Sequence, residues 1–184
     1  MREFKNTTAI ILAGGQSTRM GEDKGLMNLG DKPMIQYILE TVSKLTDQII
    51  IVANNSDYEK FGYPVFKDIE QAKGPLGGIV TGLTASKTAL NWIISCDSPH
   101  VTIDLLKVLM LKLKNVEAVV PERAGKIHPL IAAYQKSSLA FFKKELALNH
   151  LKLMPIIDKL DVRIMGADHF DRINFKNLNS KEDL

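Results

Sequence analysis

Thr8-Ala-Ile-Ile-Leu-Ala13, together with the Gly14-Gly15 pair that follows it, decides the class of fold. The run is apolar after its first residue and rich in β-branched side chains, which is typical of a short strand covered on both faces. It is too short for the hydrophobic core of a signal peptide, and it ends in glycines. A strand that stops at glycines places a flexible turn at the end of a sheet, where α/β proteins bind their ligands.

Short apolar runs alternate with amphipathic stretches along the rest of the chain. The apolar runs predict strands at residues 48–53, 63–66, 91–96, 116–120, 130–134, 161–165 and 173–178. The amphipathic stretches predict helices that begin near Pro33, Pro75 and Thr102, and two more at residues 137–148 and 155–160. A polar loop is expected over residues 14–31. This alternation favours an α/β fold with a mostly parallel sheet and helices on both faces.

The length and composition suit a single globular domain, because the chain has 184 residues of which 45% are hydrophobic. No apolar run is long enough to cross a membrane, and a formal charge of +3 without a basic block gives no indication of a nucleic-acid partner. The single cysteine, Cys96, rules out an internal disulfide and a cysteine metal cluster, and we expect a buried thiol there. The chain is therefore expected to be cytoplasmic.

The loop between Gly14 and Gly25 carries the clearest chemical pattern. Glycines at a strand end let backbone N–H groups approach phosphate oxygens, and Arg19 and Lys24 add positive charge in the same loop. The loop matches neither the Walker pattern, since Lys24 follows Asp23 rather than a glycine, nor the dinucleotide fingerprint. A flexible surface loop with incidental charges is the alternative. The two cations at a strand end favour phosphate binding.

Acidic residues follow two other predicted strands. Asp97 comes directly after an apolar strand and before Ser98-Pro99, where a carboxylate can hold Mg²⁺ beside phosphate oxygens. A turn-forming aspartate is an equally good interpretation. Asp68 carries the same ambiguity, and His128, which precedes Pro129, has either a structural role or a contact with an acceptor phosphate.

Taken together, these motifs resemble the molybdenum cofactor guanylyltransferase family. The loop is similar to that family's L-A-G-G-x-S-x-R-M-G-x-D-K signature, which a wider set of nucleotidyltransferases shares. Five further segments agree in order and extend the resemblance over essentially the whole chain: Gly30-Asp-Lys-Pro33, Gly74-Pro-Leu-Gly-Gly78, Cys96-Asp-Ser-Pro99, His128-Pro129 and Asn177-Leu-Asn-Ser180.

The resemblance implies a single Rossmann-like nucleotidyltransferase domain, with a nucleotide half over about residues 1–100 and an acceptor half over about 101–184. It implies transfer of GMP from GTP to molybdopterin bearing molybdenum, with Mg²⁺ as cofactor. The partners it implies are other proteins of molybdenum cofactor biosynthesis and the proteins that accept the cofactor. By position, Asp97 would bind Mg²⁺, and Lys24, Asp97 and Arg19 would be catalytic. The implied nucleotide-binding residues are Leu12, Ala13, Gly14, Gly15, Lys24, Asn54, Asp68 and Asp97, and the implied acceptor-binding residues are His128, Asn177 and Asn179.

Two departures from the family pattern bear on these roles. Ser98 replaces the usual threonine and keeps its hydroxyl, whereas Ser180-Lys181 replaces a threonine-proline pair and weakens the acceptor assignment. A CTP-dependent or sugar-phosphate nucleotidyltransferase of the same fold is one alternative, since the sequence does not identify the base. A non-catalytic nucleotide-binding or cofactor-delivery protein is the other, although binding alone has less need of a metal-holding carboxylate.

Overall fold

The computed structural model describes residues 3–13, 23–69 and 73–178 of the chain. Its strands are β1 Thr7–Leu12, β2 Asn28–Leu29, β3 Lys32–Pro33, β4 Gln48–Val52, β5 Val65–Phe66, β6 Leu90–Ser95, β7 Ala118–Arg123, β8 Lys126–Ile127, β9 Ile131–Gln135 and β10 Val162–Gly166. Its α-helices are α1 Met34–Val42, α2 Gly74–Ala85, α3 Ile103–Leu111, α4 Leu139–Ala147 and α5 Leu153–Ile157. Short 3₁₀ turns lie at Lys24–Leu26, Ser56–Phe61, Lys136–Ser138 and Arg172–Phe175.

Eight strands form one sheet in the order β10-β7-β9-β6-β1-β4-β5, with β8 beside β7. β1 runs parallel to β4 and β6, β4 runs parallel to β5, and β7 runs parallel to β10. β9 is antiparallel to both of its neighbours, β6 and β7. The carboxyl ends of β1, β4, β5, β6, β7 and β10 therefore share one edge of the sheet, and β9 begins there.

Helices cover both faces of the sheet, as the alternation of strands and helices predicted. Along β1, Ala9 and Ile11 face a core that includes α1 and α3, whereas Ile10 and Leu12 face a core that includes α2, α4 and α5. Both faces of the strand are thus shielded from solvent, which explains its continuous apolar sequence. The predicted fold class, a mostly parallel α/β sheet, is confirmed.

The reversed direction of β9 follows from the tight turn after β7. Only residues 124–125 separate β7 from β8, which is antiparallel to β7, and β8 leads on into β9 in the same direction; a parallel return would need a crossover of about a dozen residues or more. As a result, the start of β9 lies at the same edge as the ends of the parallel strands.

Several predicted boundaries are wrong. The strand expected at residues 173–178 is absent, since Arg172–Phe175 is a 3₁₀ turn followed by extended chain. This segment crosses the sheet edge and does not join the sheet: the buried Asn174 donates its side-chain N–H to the carbonyl of His100 at 3.0 Å. The expected loop over 14–31 ends in the small hairpin β2–β3, the strand expected at 63–66 is only Val65–Phe66, and the helix expected at 155–160 is Leu153–Ile157.

The start of α3 agrees with its sequence signal. The Thr102 hydroxyl accepts from the backbone N–H of Leu105 at 3.4 Å, as the predicted N-cap requires. Within the described ranges, no helix combines the length and apolar character needed to cross a membrane.

Gly82 is a packing requirement of the α2–sheet contact. A Cβ at this position would collide with Ile10 Cγ2 and would lie 3.4 Å from Val52 Cγ2. Helix propensity alone would favour alanine by up to about 1 kcal/mol, but the clash falls on buried strand side chains. We therefore expect Gly82→Ala to lower the free energy of unfolding by about 1–3 kcal/mol in urea titrations. Gly166→Ala is the control because nothing lies within 4 Å of its new Cβ; equal stability of both variants would contradict the packing argument.

Candidate functional site

A cleft opens at the carboxyl edge of the sheet, and its space is about 840 Å³ counted out to its open mouth. It is lined by every nucleotide-site residue predicted from the sequence that the structure describes, namely Leu12, Ala13, Lys24, Asn54, Asp68 and Asp97. Gly14, Gly15 and Arg19 fall outside the described residues, as does Asn179.

Asp97 lies at the end of β6, beside the end of β1. The backbone N–H of Cys96 donates to the Leu12 carbonyl at 2.9 Å, so the two strands stay paired up to the cleft. The Ser98 hydroxyl lies 3.2 Å from Asp97 Oδ1 and 3.3 Å from Asn177 Oδ1, and it can donate to either. The turn after β6 is therefore tied to the C-terminal segment, which also donates the Leu178 N–H to the Asp97 carbonyl at 2.9 Å.

Lys24 begins the 3₁₀ turn Lys24–Leu26. Asp23 caps this turn, since its Oδ1 accepts the Gly25 N–H at 3.3 Å. The Met27 N–H then donates to the Lys24 carbonyl at 3.1 Å. Lys24 and Asp97, which are distant in the sequence, thus line the same cleft.

Asn54 and Asp68 are joined to each other and to α2. Asn54 Oδ1 accepts the Asp68 backbone N–H at 3.1 Å, and Thr81 donates its hydroxyl to Asp68 Oδ1 at 3.2 Å. Thr81 in turn accepts the Ile69 N–H at 3.0 Å. Asn54 therefore uses its carbonyl oxygen to order the Asp68 loop. Thr81 is a buried contributor that the sequence did not single out, because a hydroxyl within a helix carries no distinctive signal.

The N-terminus of α2 faces the cleft through Gly74, Pro75 and Gly78. Gly74 has a positive φ of 62°, and Pro75 starts the helix where a missing N–H costs nothing. A Cβ on Gly78 would lie 3.3 Å from Leu12 Cδ2, so this glycine lets the helix approach the end of β1. The partial positive charge of a helix N-terminus favours an anion in the cleft.

Cys96 is the buried thiol that the sequence predicted. Burial raises the pKa of this thiol well above its ordinary value, and the nearby carboxylates of Asp97 and Asp23 raise it further. It therefore stays protonated at neutral pH and is not suited to act as a nucleophile.

A second cavity contains two of the predicted acceptor residues, His128 and Asn177. Its lining is strongly basic: Arg123, Ala124, Lys126, His128, Arg172, Phe175, Lys176 and Asn177. The His128 ring lies 4.9 Å from the Phe175 ring, and Arg123 donates its Nε–H to the Phe170 carbonyl at 3.2 Å. Four of these residues, Arg123, Lys126, Arg172 and Lys176, carried no signal in the sequence because they are scattered along the chain and form no basic block.

The two cavities adjoin at Ser98. Asp97 lines the first and Asn177 lines the second, and the Ser98 hydroxyl lies within hydrogen-bonding distance of both side chains. The two cavities are therefore neighbours, connected through the Ser98 side chain.

Comparison with known proteins gives the class first. Residues 9–162 match the family described as the MobA-like NTP transferase domain. A structure of molybdopterin-guanine dinucleotide biosynthesis protein A from Archaeoglobus fulgidus has a TM-score of 0.81 at 23% identity, covering 96% of this chain and 94% of its own. The chain therefore has the fold of these transferases.

Sequence relatives then give the family. A probable molybdenum cofactor guanylyltransferase from Flavobacterium johnsoniae is 34% identical over 98% of this chain and 96% of its own length. A molybdenum cofactor guanylyltransferase from Vibrio parahaemolyticus is 34% identical over 100% of this chain and 96% of its own length. The chain belongs to this family, as the resemblance implied, and is a nucleotidyltransferase of molybdenum cofactor biosynthesis.

His128 offers a direct test of the basic cavity. Burial lowers the pKa of His128 below its ordinary value of 6.5, and Lys126 and Arg123 lower it further. At pH values between the folded pKa and 6.5, His128 binds more protons in the unfolded chain than in the folded one. Its contribution therefore lowers the free energy of unfolding as the pH falls through this range. We expect an NMR titration midpoint for His128 below 6.5 and a higher midpoint in Lys126→Gln.

His100 is the internal control for that titration. Its pKa is also lowered by burial, but its cationic neighbour is Lys176 rather than Lys126. Its midpoint should not change in Lys126→Gln. An unchanged His128 midpoint in this variant would contradict the electrostatic description of the cavity.

Proposed function

We propose that this enzyme transfers GMP from GTP to molybdenum-bearing molybdopterin, forming molybdopterin guanine dinucleotide and releasing pyrophosphate. The observation that carries the proposal is the convergence of Lys24 and Asp97 on one cleft that adjoins a basic cavity at Ser98. The names of the relatives supply the guanine nucleotide and the molybdenum cofactor.

The chemistry needs no strong general base. A terminal phosphate on the acceptor is largely ionised at neutral pH, since its second pKa is about 6. One of its oxygens would attack the α-phosphorus of GTP, and the bond to pyrophosphate would break with its electron pair leaving on pyrophosphate. The protein's contribution is alignment and charge neutralisation. Lys24 serves this purpose from the cleft, and Arg19 is proposed to do so from the loop.

Asp97 fits a role in holding Mg²⁺. Among residues 3–13, 23–69 and 73–178, no three His, Cys, Asp or Glu side chains are grouped so that they could hold a metal ion. Mg²⁺ is commonly bound by one or two carboxylates together with substrate phosphates, and the Asp97 carboxylate, which lines the cleft, matches the protein part of that donor set. When bound there, the ion would neutralise charge on the phosphate oxygens.

The basic cavity is proposed as the acceptor side. His128 and Asn177 line it, and Asn179 lies two residues further along the chain. Residues of the first cavity come mostly from the first hundred positions and residues of the second from later ones, which supports the proposed nucleotide and acceptor halves. A cytoplasmic location and docking with other proteins of cofactor biosynthesis stay predictions.

The test is pyrophosphate release by the wild-type protein with Mg²⁺, acceptor and each of GTP, CTP, ATP and UTP. We expect release with GTP and only when acceptor is present. Lys126→Gln should raise the KM for the acceptor and leave the KM for GTP unchanged. Release with CTP instead would support the CTP-dependent alternative.

Thermal stabilisation separates an enzyme from a binding protein. A nucleotide at 100 times its Kd should add roughly 2.7 kcal/mol to the free energy of unfolding. Stabilisation by GTP without any pyrophosphate release would favour the non-catalytic alternative and would overturn the transfer reaction.

A further inference from the structure

Tyr58 connects the segment after β4 with the Lys24–Leu26 turn. It lies in the 3₁₀ turn Ser56–Phe61, just after β4, and its side chain is completely buried. Its hydroxyl donates to Asp23 Oδ1, across 35 positions of sequence. The turn that carries Tyr58 is itself fixed, because Asn55 Oδ1 caps it by accepting the Asp57 N–H at 2.9 Å.

Asp23 receives two donors on one oxygen. The Tyr58 hydroxyl reaches Oδ1 from the core, and the Gly25 N–H reaches it from the Lys24–Leu26 turn at 3.3 Å. The Asp23 backbone carbonyl also accepts the Leu26 N–H at 3.0 Å. The conformation of the backbone that carries Lys24 therefore depends on where the Asp23 side chain is held.

Gly25 shows how closely this cluster is packed. A Cβ added there would collide with the Tyr58 hydroxyl and would lie 3.2 Å from both Cβ and Sγ of Cys96. Cys96 precedes Asp97 in the chain. Tyr58, Asp23 and Gly25 thus pack directly against the segment that carries the proposed metal-binding carboxylate.

We infer that Tyr58 is a positioning residue: its hydrogen bond to Asp23 holds the Lys24 turn against the Cys96–Asp97 segment, so that the cation and the carboxylate face the same triphosphate. The inference rests on the proposed function for the identity of the ligand. Without the tyrosine hydroxyl, the Asp23 carboxylate is released within a cleft that must bind phosphates. There it would repel the phosphates and compete with them for Lys24.

The hydroxyl is suited to a permanent role as a donor. Burial raises the pKa of Tyr58 far above its ordinary value, and nearby Cys96 and Asp23 raise it further, so the group stays protonated. A hydrogen bond to a charged carboxylate is also among the stronger ones in proteins.

The test compares Tyr58→Phe with Tyr134→Phe, because both remove one hydroxyl from a fully buried tyrosine. The Tyr134 hydroxyl donates to the Pro129 carbonyl at 2.8 Å, and its ring belongs to the core on the other face of the sheet. Amide hydrogen exchange is measured on the nucleotide-free proteins at Gly25, Leu26 and Met27. The affinity for GTP with Mg²⁺ is measured by calorimetry.

We expect Tyr58→Phe to accelerate exchange at these amides and to weaken GTP affinity, each by about tenfold, as the loss of one charge-assisted hydrogen bond would. Tyr134→Phe should change neither. Asp23→Asn keeps an Oδ1 acceptor and should retain slow exchange, whereas Asp23→Ala should resemble Tyr58→Phe.

Exchange at residues 25–27 that is unchanged in Tyr58→Phe would overturn the inference and leave the hydroxyl a merely structural role. This readout requires no nucleotide, so it is independent of the transfer reaction. If wild-type protein releases no pyrophosphate, the proposed function fails while the exchange result still decides the role of Tyr58.

Discussion

Asp97→Ala is expected to lower the rate of nucleotidyl transfer by about a hundredfold, which corresponds to a loss of about 3 kcal/mol of transition-state stabilisation. The physical reason is that the cleft loses the carboxylate that we propose holds Mg²⁺. The variant should remain folded, because Ser98 still has Asn177 Oδ1 as an acceptor at 3.3 Å. Steady-state pyrophosphate release, followed over a range of Mg²⁺ concentrations, measures the effect.

A matched control is Asp158→Ala. Asp158 is exposed at the end of α5 and lines neither cavity. Its removal should change stability by less than about 0.5 kcal/mol and leave transfer unchanged. Asp97→Ala should also require more Mg²⁺ for half-maximal activity; wild-type rates with an unchanged Mg²⁺ requirement would refute the metal-binding role.

Lys24→Ala is expected to reduce transfer by a similar factor, about a hundredfold, for a different reason. It removes a positive charge placed beside the phosphates and leaves the carboxylate intact. The Mg²⁺ requirement should therefore stay as in the wild type, which distinguishes this variant from Asp97→Ala. Single-turnover pyrophosphate release at saturating GTP isolates the chemical step.

Lys143→Ala serves as the control for the lost charge. Lys143 is an exposed residue of α4 that lines neither cavity. Wild-type turnover by Lys24→Ala, or an equal loss in Lys143→Ala, would remove Lys24 from the proposed catalytic set.

The nucleotide side of the site was accessible from the sequence because parallel strands bring their ends together. Asn54, Asp68 and Asp97 each follow a predicted strand, and a mostly parallel sheet brings such strand ends together at one edge. The structure confirms that these side chains line one cleft. Their roles in binding and catalysis stay predictions.

The acceptor side was harder to predict because its parts are not strand ends of one direction. His128 reaches the edge only because β9 is antiparallel, and Asn177 reaches it because residues 173–178 cross the edge and do not form a strand. The apolar residues of this segment predicted a strand. Instead, the buried Asn174 side chain donates a hydrogen bond to the backbone carbonyl of His100, just before α3. Side-chain pairings of this kind leave no periodic signal in a sequence.

Tyr58 and Thr81 show a similar limit. Each places a single hydroxyl against a carboxylate in another segment, Asp23 for Tyr58 and Asp68 for Thr81, 35 and 13 positions away. Tyrosine and threonine are also ordinary core and helix residues. Only the fold identifies the two that support the cleft.

A crystal structure of the wild-type protein with GTP and Mg²⁺ would show whether Lys24 and Asp97 meet on one triphosphate. We expect the triphosphate to lie between the Lys24 ammonium group and the Asp97 carboxylate, with its α-phosphate towards Asn177 and the basic cavity. GTP bound anywhere else, with neither Lys24 nor Asp97 within contact of its phosphates, would contradict this expectation.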